Sequence, residues 1–339
     1  MFKENLNIII SGKDLTGTQM GEMISKIFSG SLTNAQVAGF MTALATKDET
    51  FEELSGAARV MRENAVKIQV IGHDTVIDTC GTGGDASNTF NISTTTAFVV
   101  AGCNVVVAKH GNRSVSSNCG SADLVEGLGI NLNVEPEIVE EAIAETGIGF
   151  LFAPKHHSAM RFAGPARSQL GIRSIFNMLG PLSNPAGANC QLLGVYAPGL
   201  TEMFALALNE LGTKRAFVVH GHDGLDEISV CAPTRVSELN QGRIKTYDIH
   251  PEDFFKELSN PKDLKGGDLK KNLKITKDVL TGKKGPKRDV VLINTSAALV
   301  AAGKAENLKE GIKMAEDSID SKQAVTKLND LIAFTRDNS

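Results

Sequence analysis

Four stretches of this chain carry residue types that a packed core does not need. The first runs Asp78-Thr79-Cys80-Gly81-Thr82-Gly83-Gly84-Asp85 and continues through Thr89 and Asn91 to Ser93 and Thr94. Glycines at this density let backbone N–H groups approach an anion closely. The amides and hydroxyls that follow lie where a helix N-terminus favours negative charge. That field supplies about 0.3–1 kcal/mol, up to ~2 when partly buried, so it orients a phosphate and needs help to hold one. Gly81 to Ala86 also satisfies G-x-G-x-x-A, but the polar run places the helix start near Ser93, beyond the glycines. No acidic residue closes the next apolar run about 20 residues on, as a dinucleotide fold requires. No GK[ST] follows either, so the loop is not a P-loop. Taken alone, it also reads as a capped strand-to-helix turn.

The second stretch is Lys109-His110-Gly111-Asn112-Arg113, followed by Ser114, Ser116, Ser117 and Gly120-Ser121-Ala122-Asp123. In a parallel sheet successive strand ends deliver their loops to one edge, where ligands bind. Lys109, Asn112 and these hydroxyls are therefore expected to face the glycine loop and form a polyphosphate pocket. Arg113 reads equally as a second cation there or as a surface charge, and His110 as a local hydrogen-bonding residue rather than a base.

The third is His220-Gly221-His222-Asp223-Gly224-Leu225-Asp226-Glu227. Adjacent carboxylates repel, and a Mg²⁺ that keeps waters and bridges to substrate phosphates suits a site with one or two carboxylates. A solvated acidic turn is the alternative. His220 and His222 lack a third nitrogen or thiolate for a transition metal. In the fourth, His157, Arg161 and Arg167 could receive a carboxylate, since guanidinium matches it bidentately. Arginines on a helix surface are the plainer reading of that stretch.

The elements that must position these groups change character along the chain. Up to about residue 70 the pattern is helical, with capping boxes at Thr16/Gln19, Thr33/Gln36 and Thr50/Glu53. Beyond about 74, short apolar runs alternate with helical stretches. The runs are Val76-Ile77, Val105–Val107, Ile148–Phe152, Leu192–Tyr196, Ala216–Val219 and Val290–Ile293. That alternation predicts an α/β chain in which a small all-helical domain joins a larger domain with a mainly parallel sheet flanked by helices. The expected division is 1–72 helical, joined by about 165–187, with 73–164 and 188–339 forming the larger unit. The lysine-rich segment 261–288 reads as a solvated helix and loop.

Composition narrows the function classes. A net charge of −4 and a pI of about 6.0 argue against bulk binding to nucleic acid or anionic membranes. No apolar run is long enough to span a bilayer, and the start MFKENLNIII lacks the pattern of a signal peptide. Five scattered cysteines without a CxxC pair read as free thiols in a reducing, cytoplasmic setting. With no Trp and two Tyr, few aromatic platforms exist for stacking single-stranded nucleic acid.

Six motifs in order, DTCGTGGD with NIST, AKHGNR with SSNCGSAD, FLFAPKHHSAMR, GIRSIFNMLGPLSNPA, HGHDGLDEIS and GPKRDVVLINTSAAL, resemble the anthranilate phosphoribosyltransferase family of the tryptophan pathway. The resemblance covers about 78–300, and the helical start also fits. It implies transfer of the phosphoribosyl group of phosphoribosyl diphosphate to the anthranilate amine with Mg²⁺, two ions per active site. It also implies a homodimer formed through the helical part. Carried onto matching positions, Gly81, Gly84, Asp85, Thr89, Asn91, Ser93, Thr94, Lys109, Ser117 and Ser121 would surround the diphosphate substrate. Ser93, Asp226 and Glu227 would hold Mg²⁺, and Lys109, Asp226 and Glu227 would carry the catalytic load. Gly81, Asn112, His157, Arg167 and Gly180 would line the anthranilate path. Ser158 and Phe162 stand where the family usually has proline and histidine.

Two other functions compete. A pyrimidine nucleoside phosphorylase would share the general architecture, but the Asp226-Glu227 pair beside a diphosphate-sized loop argues against it. A non-catalytic nucleic-acid-binding relative would need a basic surface, which this composition lacks.

Overall fold

The computed structural model describes residues 2–113 and 119–338. Four helices open the chain: α1 (Phe2–Ile10), α2 (Gly17–Phe28), α3 (Asn34–Lys47) and α4 (Phe51–Glu63). All three expected capping boxes form, each Thr hydroxyl accepting from the backbone amide three residues on. Glu53 does more than cap. Its buried carboxylate also accepts from the Leu15 amide at 2.9 Å and pairs with Lys47 at 3.0 Å, stapling α4 to the α1–α2 turn.

The sheet follows: β1 (Val76–Gly81), α5 (Ile92–Gly102), β2 (Val106–Gly111), α6 (Ser121–Leu128), α7 (Pro136–Thr146) and β3 (Ile148–Phe152). A Pro/Gly-punctuated stretch then holds α8 (Ala153–His156), a 3₁₀ turn at Ser158–Phe162, α9 (Gly164–Leu170), α10 (Ile175–Met178) and a 3₁₀ turn at Gly180–Leu182. Next come β4 (Cys190–Gly194), α11 (Leu200–Glu210), β5 (Arg215–Gly221), β6 (Thr234–Asn240) and β7 (Arg243–Ile249). The chain closes with α12 (Leu269–Leu280), α13 (Pro286–Ala301), α14 (Leu308–Asp320) and α15 (Gln323–Asp337).

Among the described residues seven strands form one sheet ordered β3-β2-β1-β4-β5-β6-β7, parallel from β3 to β5 and antiparallel beyond. Strand order reverses direction about β1, so the ends of β1, β2 and β4 open a crevice at the carboxyl edge, the usual place for a ligand in such sheets. One face carries α5, α13 and α15. The other meets α11 and the helical unit in a single apolar cluster that includes Met20, Phe40, Ala163, Ile175, Phe176, Leu193 and Val218. The stretch from 158 to 182 thus packs on the N-terminal helices, and the Phe162 ring lies so close over Gly30 that it leaves no room for a side chain there.

Three expectations change. Val290–Ile293 lies inside α13 and is helical. This helix is wedged between the sheet and α5 and α14, so it is buried on nearly every side. A short apolar run of that kind shows no helical period to distinguish it from a strand. The antiparallel β6–β7 hairpin has no apolar run to mark it in the sequence, because β7 is polar and largely exposed. The lysine-rich segment is more than a solvated helix: α12 buries Asn272, Ile275, Thr276, Val279 and Leu280. The strand positions otherwise hold, with β1 and β5 longer than their apolar runs, β2 starting one residue later and running on to Gly111, and β4 starting and ending two residues earlier.

Candidate active site

The glycine loop leaves β1 and crosses the end of β4, where the Thr82 amide donates to the Gly194 carbonyl at 2.9 Å. Asp226 approaches this crossing so closely that a side chain at Gly194 would collide with its carbonyl, and one at Gly81 would meet its Oδ2. The Gly83 amide donates to Asp226 Oδ2 at 3.1 Å. From the other side Arg173 donates to the Gly84 carbonyl at 2.6 Å and lies 4.3 Å above the Tyr196 ring. The loop is therefore held at both flanks, by the acidic turn and by a cation from the stretch that packs on the helices.

Below the loop, α5 begins at Ile92 as the polar run predicts. The Thr79 hydroxyl donates to the Ser93 carbonyl at 3.0 Å. Lys109, 3% exposed, reaches from β2 to donate to the Thr79 carbonyl, with its Nζ 3.5 Å from Ser93 Oγ. Burial pulls the Lys109 ammonium down, and the charges of Asp78, Cys80 and Glu227 pull it back up. A buried cation, a helix N-terminus and a glycine loop thus converge on one volume.

The acidic side is unbalanced. Burial, and next the Asp85 carboxylate, push Asp226 up to about 7. Glu227 is raised well above the usual range by burial and then by Asp226, with Lys109 and the Ser93 amide opposing. Asp85 Oδ2 and Glu227 Oε2 are buried without a hydrogen-bond partner, as is Thr94 Oγ1. Leaving a buried polar group unpaired costs about 1–3 kcal/mol. Among the described residues no group of three or more His, Cys, Asp or Glu is arranged to hold a metal. The donor set is instead a few hard oxygens, which fits Mg²⁺ bound by one or two carboxylates and completed by water and phosphate.

The remaining diphosphate candidates frame this volume. Asn91 Nδ2 donates to the Cys119 carbonyl at 3.0 Å, and its Oδ1 accepts from Asn272 at 3.3 Å. Thr89 bridges Lys265, and the Phe90 and Gly266 amides bond across to Leu264 and Asn88. The segment before α12 thereby closes the far end of the loop. Ser121 Oγ lies 3.2 Å from both the amide and the carbonyl of Asn112. Ser117 lies outside the described residues. Arg113 turns to Asp123 and Glu126, at 3.0 and 2.8 Å, so its charge serves the surface and not the loop.

The aromatic-amine candidates form a second group. His157 and His110 meet edge to face, with centroids 5.1 Å apart, and His110 Nδ1 donates to the Gly180 carbonyl at 3.2 Å. Burial, and next His156, lower His157 to about 4, and burial drives His110 well below its ordinary value. Both rings are uncharged at neutral pH, and His110 Nε2 and both His157 nitrogens have no partner. Arg167 lies 5.8 Å over the Phe176 ring, with no carboxylate in ion-pair range among the described residues. Arg161 is exposed and stacks on Phe162. His220 Nδ1 donates to the Val195 carbonyl at 2.7 Å, and His222 lies near Asp248, so these two histidines form no metal pair.

A glycine loop, a buried lysine and paired carboxylates thus meet at one edge of a mostly parallel sheet that carries a helical bundle. The family models "Glycosyl transferase family, helical bundle domain" and "Glycosyl transferase family, a/b domain" match residues 3–65 and 73–325. The anthranilate phosphoribosyltransferase of Desulfosudis oleivorans is 62% identical over 339 residues, covering 100% of both chains. The crystal structure of the Thermus thermophilus enzyme superposes with a TM-score of 0.92 at 40% identity, over 98% of this chain and 99% of that one. The Saccharomyces cerevisiae enzyme in complex with PRPP and Mg superposes at 0.90 with 30% identity, over 99% and 98%. The chain belongs to the anthranilate phosphoribosyltransferase family.

Proposed function

We propose that this chain transfers the 5-phosphoribosyl group of phosphoribosyl diphosphate to the amine of anthranilate, giving N-(5-phosphoribosyl)anthranilate and diphosphate, a step of tryptophan biosynthesis. The observation that carries this reading is the convergence of buried Lys109 with the unbalanced carboxylates Asp226 and Glu227 beside a glycine loop. The yeast enzyme solved with PRPP and Mg supports the same pairing of diphosphate and metal.

In this reading Gly81, Gly84, Asp85, Thr89, Asn91, Ser93, Thr94, Lys109, Ser117 and Ser121 receive phosphoribosyl diphosphate. Asp226, Glu227 and Ser93 hold Mg²⁺, two ions per site, which when bound supplies positive charge to the diphosphate. The chain's own contribution is positional and electrostatic. Lys109 and the α5 N-terminus present fixed positive charge where the C1′–O bond breaks and the leaving diphosphate gains charge. The glycine loop fixes the sugar phosphate against the crevice. Arg167 meets the anthranilate carboxylate, while Gly81, Asn112, His157 and Gly180 shape the path of the ring. The amine lone pair forms the new N–C1′ bond and its proton leaves to water. An aromatic amine is unprotonated at neutral pH, so no group must activate it first.

The same reading makes the protein a cytoplasmic homodimer joined through the helical unit, where α1 leaves Ile10 64% exposed. It divides the chain near residue 72, with about 165–187 returning to the helices. No helix among the described residues is long and apolar enough to cross a membrane. Anthranilate fluorescence tests the reading. Signal should decay only when enzyme, phosphoribosyl diphosphate and Mg²⁺ are all present, and a flat trace with folded protein would refute it.

A further inference from the structure

Asp78 opens the glycine stretch but has no role in either substrate group above, and it is a fully buried carboxylate in β1. Its Oδ1 accepts from the His110 amide at 3.1 Å and its Oδ2 from Asn184 Nδ2 at 2.8 Å. Asn184 Nδ2 also donates to the Ala108 carbonyl at 2.8 Å, and its Oδ1 accepts from the Ala186 amide at 2.9 Å. One carboxylate therefore ties the end of β2 on both sides of Lys109 to the turn that follows Gly180–Leu182. His110 closes the ring by donating to the Gly180 carbonyl. Gln191 and Arg62 hold the same turn from outside, donating to the Pro181 and Leu182 carbonyls at 2.5 and 2.6 Å.

Strand alternation gives this network its consequence. Thr79 and Lys109 point to the α5 face, where Ser93 lies, and Asp78 and His110 point to the opposite face, where Gly180 lies. The bonds of Asp78 thus join the diphosphate side of the sheet to the aromatic-amine side through the backbone of residues 108–110. A hydrophobic residue would fill this space without the desolvation cost of a carboxylate, so packing alone does not call for aspartate.

We infer that Asp78, acting through Asn184 and His110, is a positioning residue that sets the aromatic-amine subsite at Gly180 and couples it to the strand end carrying Lys109. The inference rests on the transfer reaction proposed above. Its test is Asp78→Asn, which keeps the shape and loses one acceptor, examined by hydrogen exchange in the free protein and by steady-state kinetics. Exchange should quicken in both 106–113 and 179–186. The anthranilate KM should rise about tenfold, the scale of one charge-assisted hydrogen bond, while the KM for phosphoribosyl diphosphate stays within about twofold. Asn184→Ala should reproduce this pattern and serves if Asp78→Asn does not fold. Unchanged exchange at 179–186, or equal rises in both KM values, would overturn the inference. The exchange arm needs no turnover, so it decides the network even if the wild type fails to transfer, a failure that would count against the proposed function alone.

Discussion

Asn294 on α13 grips Ile228 by both of its backbone groups: the Ile228 amide donates to Asn294 Oδ1 and Asn294 Nδ2 donates to the Ile228 carbonyl, each at 2.9 Å. Ile228 directly follows Glu227, so a helix far along the chain anchors the acidic turn from beneath. Asn294→Ala would strand two buried backbone groups, each worth about 1–3 kcal/mol. The expected result is a lower melting temperature and a Mg²⁺ affinity reduced about tenfold or more. Thermal melts and Mg²⁺ titrations check it, and Asn294→Asp, which keeps the acceptor for the amide, should lose less.

Asp226 costs the metal-free fold stability at neutral pH. Its folded-state pKa of about 7 stands above the ordinary 3.8, so the folded protein binds the extra proton between those values. The stabilising share of this group is complete below about 3.8 and is lost as pH rises through about 7. Asp226→Asn should therefore raise the melting temperature at pH 8 without Mg²⁺, by at least about 2 °C. At pH 4 the gain should vanish. The same variant should lose kcat/KM by about 100-fold or more.

Metal binding should expel protons for the same reason. Carboxyls raised by burial and mutual repulsion must ionise to ligate Mg²⁺, so binding near pH 6.5 should release protons, and the share that comes from Asp226 should fade above pH ~8. Calorimetry of Mg²⁺ and phosphoribosyl diphosphate binding in buffers of different ionisation enthalpy measures the release directly. Asp226→Asn should diminish it.

Lys109 and Arg167 should fail in different ways. Lys109→Ala removes a buried cation that the proposed reaction places beside the leaving group, and should lower kcat/KM for phosphoribosyl diphosphate by about 100-fold or more. Arg167→Ala should chiefly raise the anthranilate KM, with kcat changing much less. Steady-state kinetics with each substrate varied in turn separates the two.

Much of this site was legible because local chemistry and strand topology point the same way. Thr16, Thr33 and Thr50 announce their helices through the glutamine or glutamate three residues on, and all three boxes form. Gly81, Lys109 and Asp226 come from separate strand ends, and a parallel sheet must bring such ends to one edge. What stayed hidden depends on contacts distant in sequence. Asn294 looks like one polar residue in an apolar run, and nothing local says that it holds Ile228. Arg173 lies in the GIRSIFNMLGPLSNPA stretch, yet its reach to Gly84 needs the helical stretch and the glycine loop placed together. Asn272 and Leu264 close the loop at Asn91 and Phe90 from a segment whose lysines suggested solvent. The α13 core run failed for a different reason, since full burial erases the helical period.

The measurement that tests the central claim most directly is ³¹P NMR of phosphoribosyl diphosphate with enzyme and Mg²⁺, recorded before and after anthranilate is added. The account predicts stable substrate resonances at first, then free diphosphate and a new sugar-phosphate signal growing in equal amounts once anthranilate is present. Diphosphate released at the same rate without anthranilate, or no change after its addition, would contradict it.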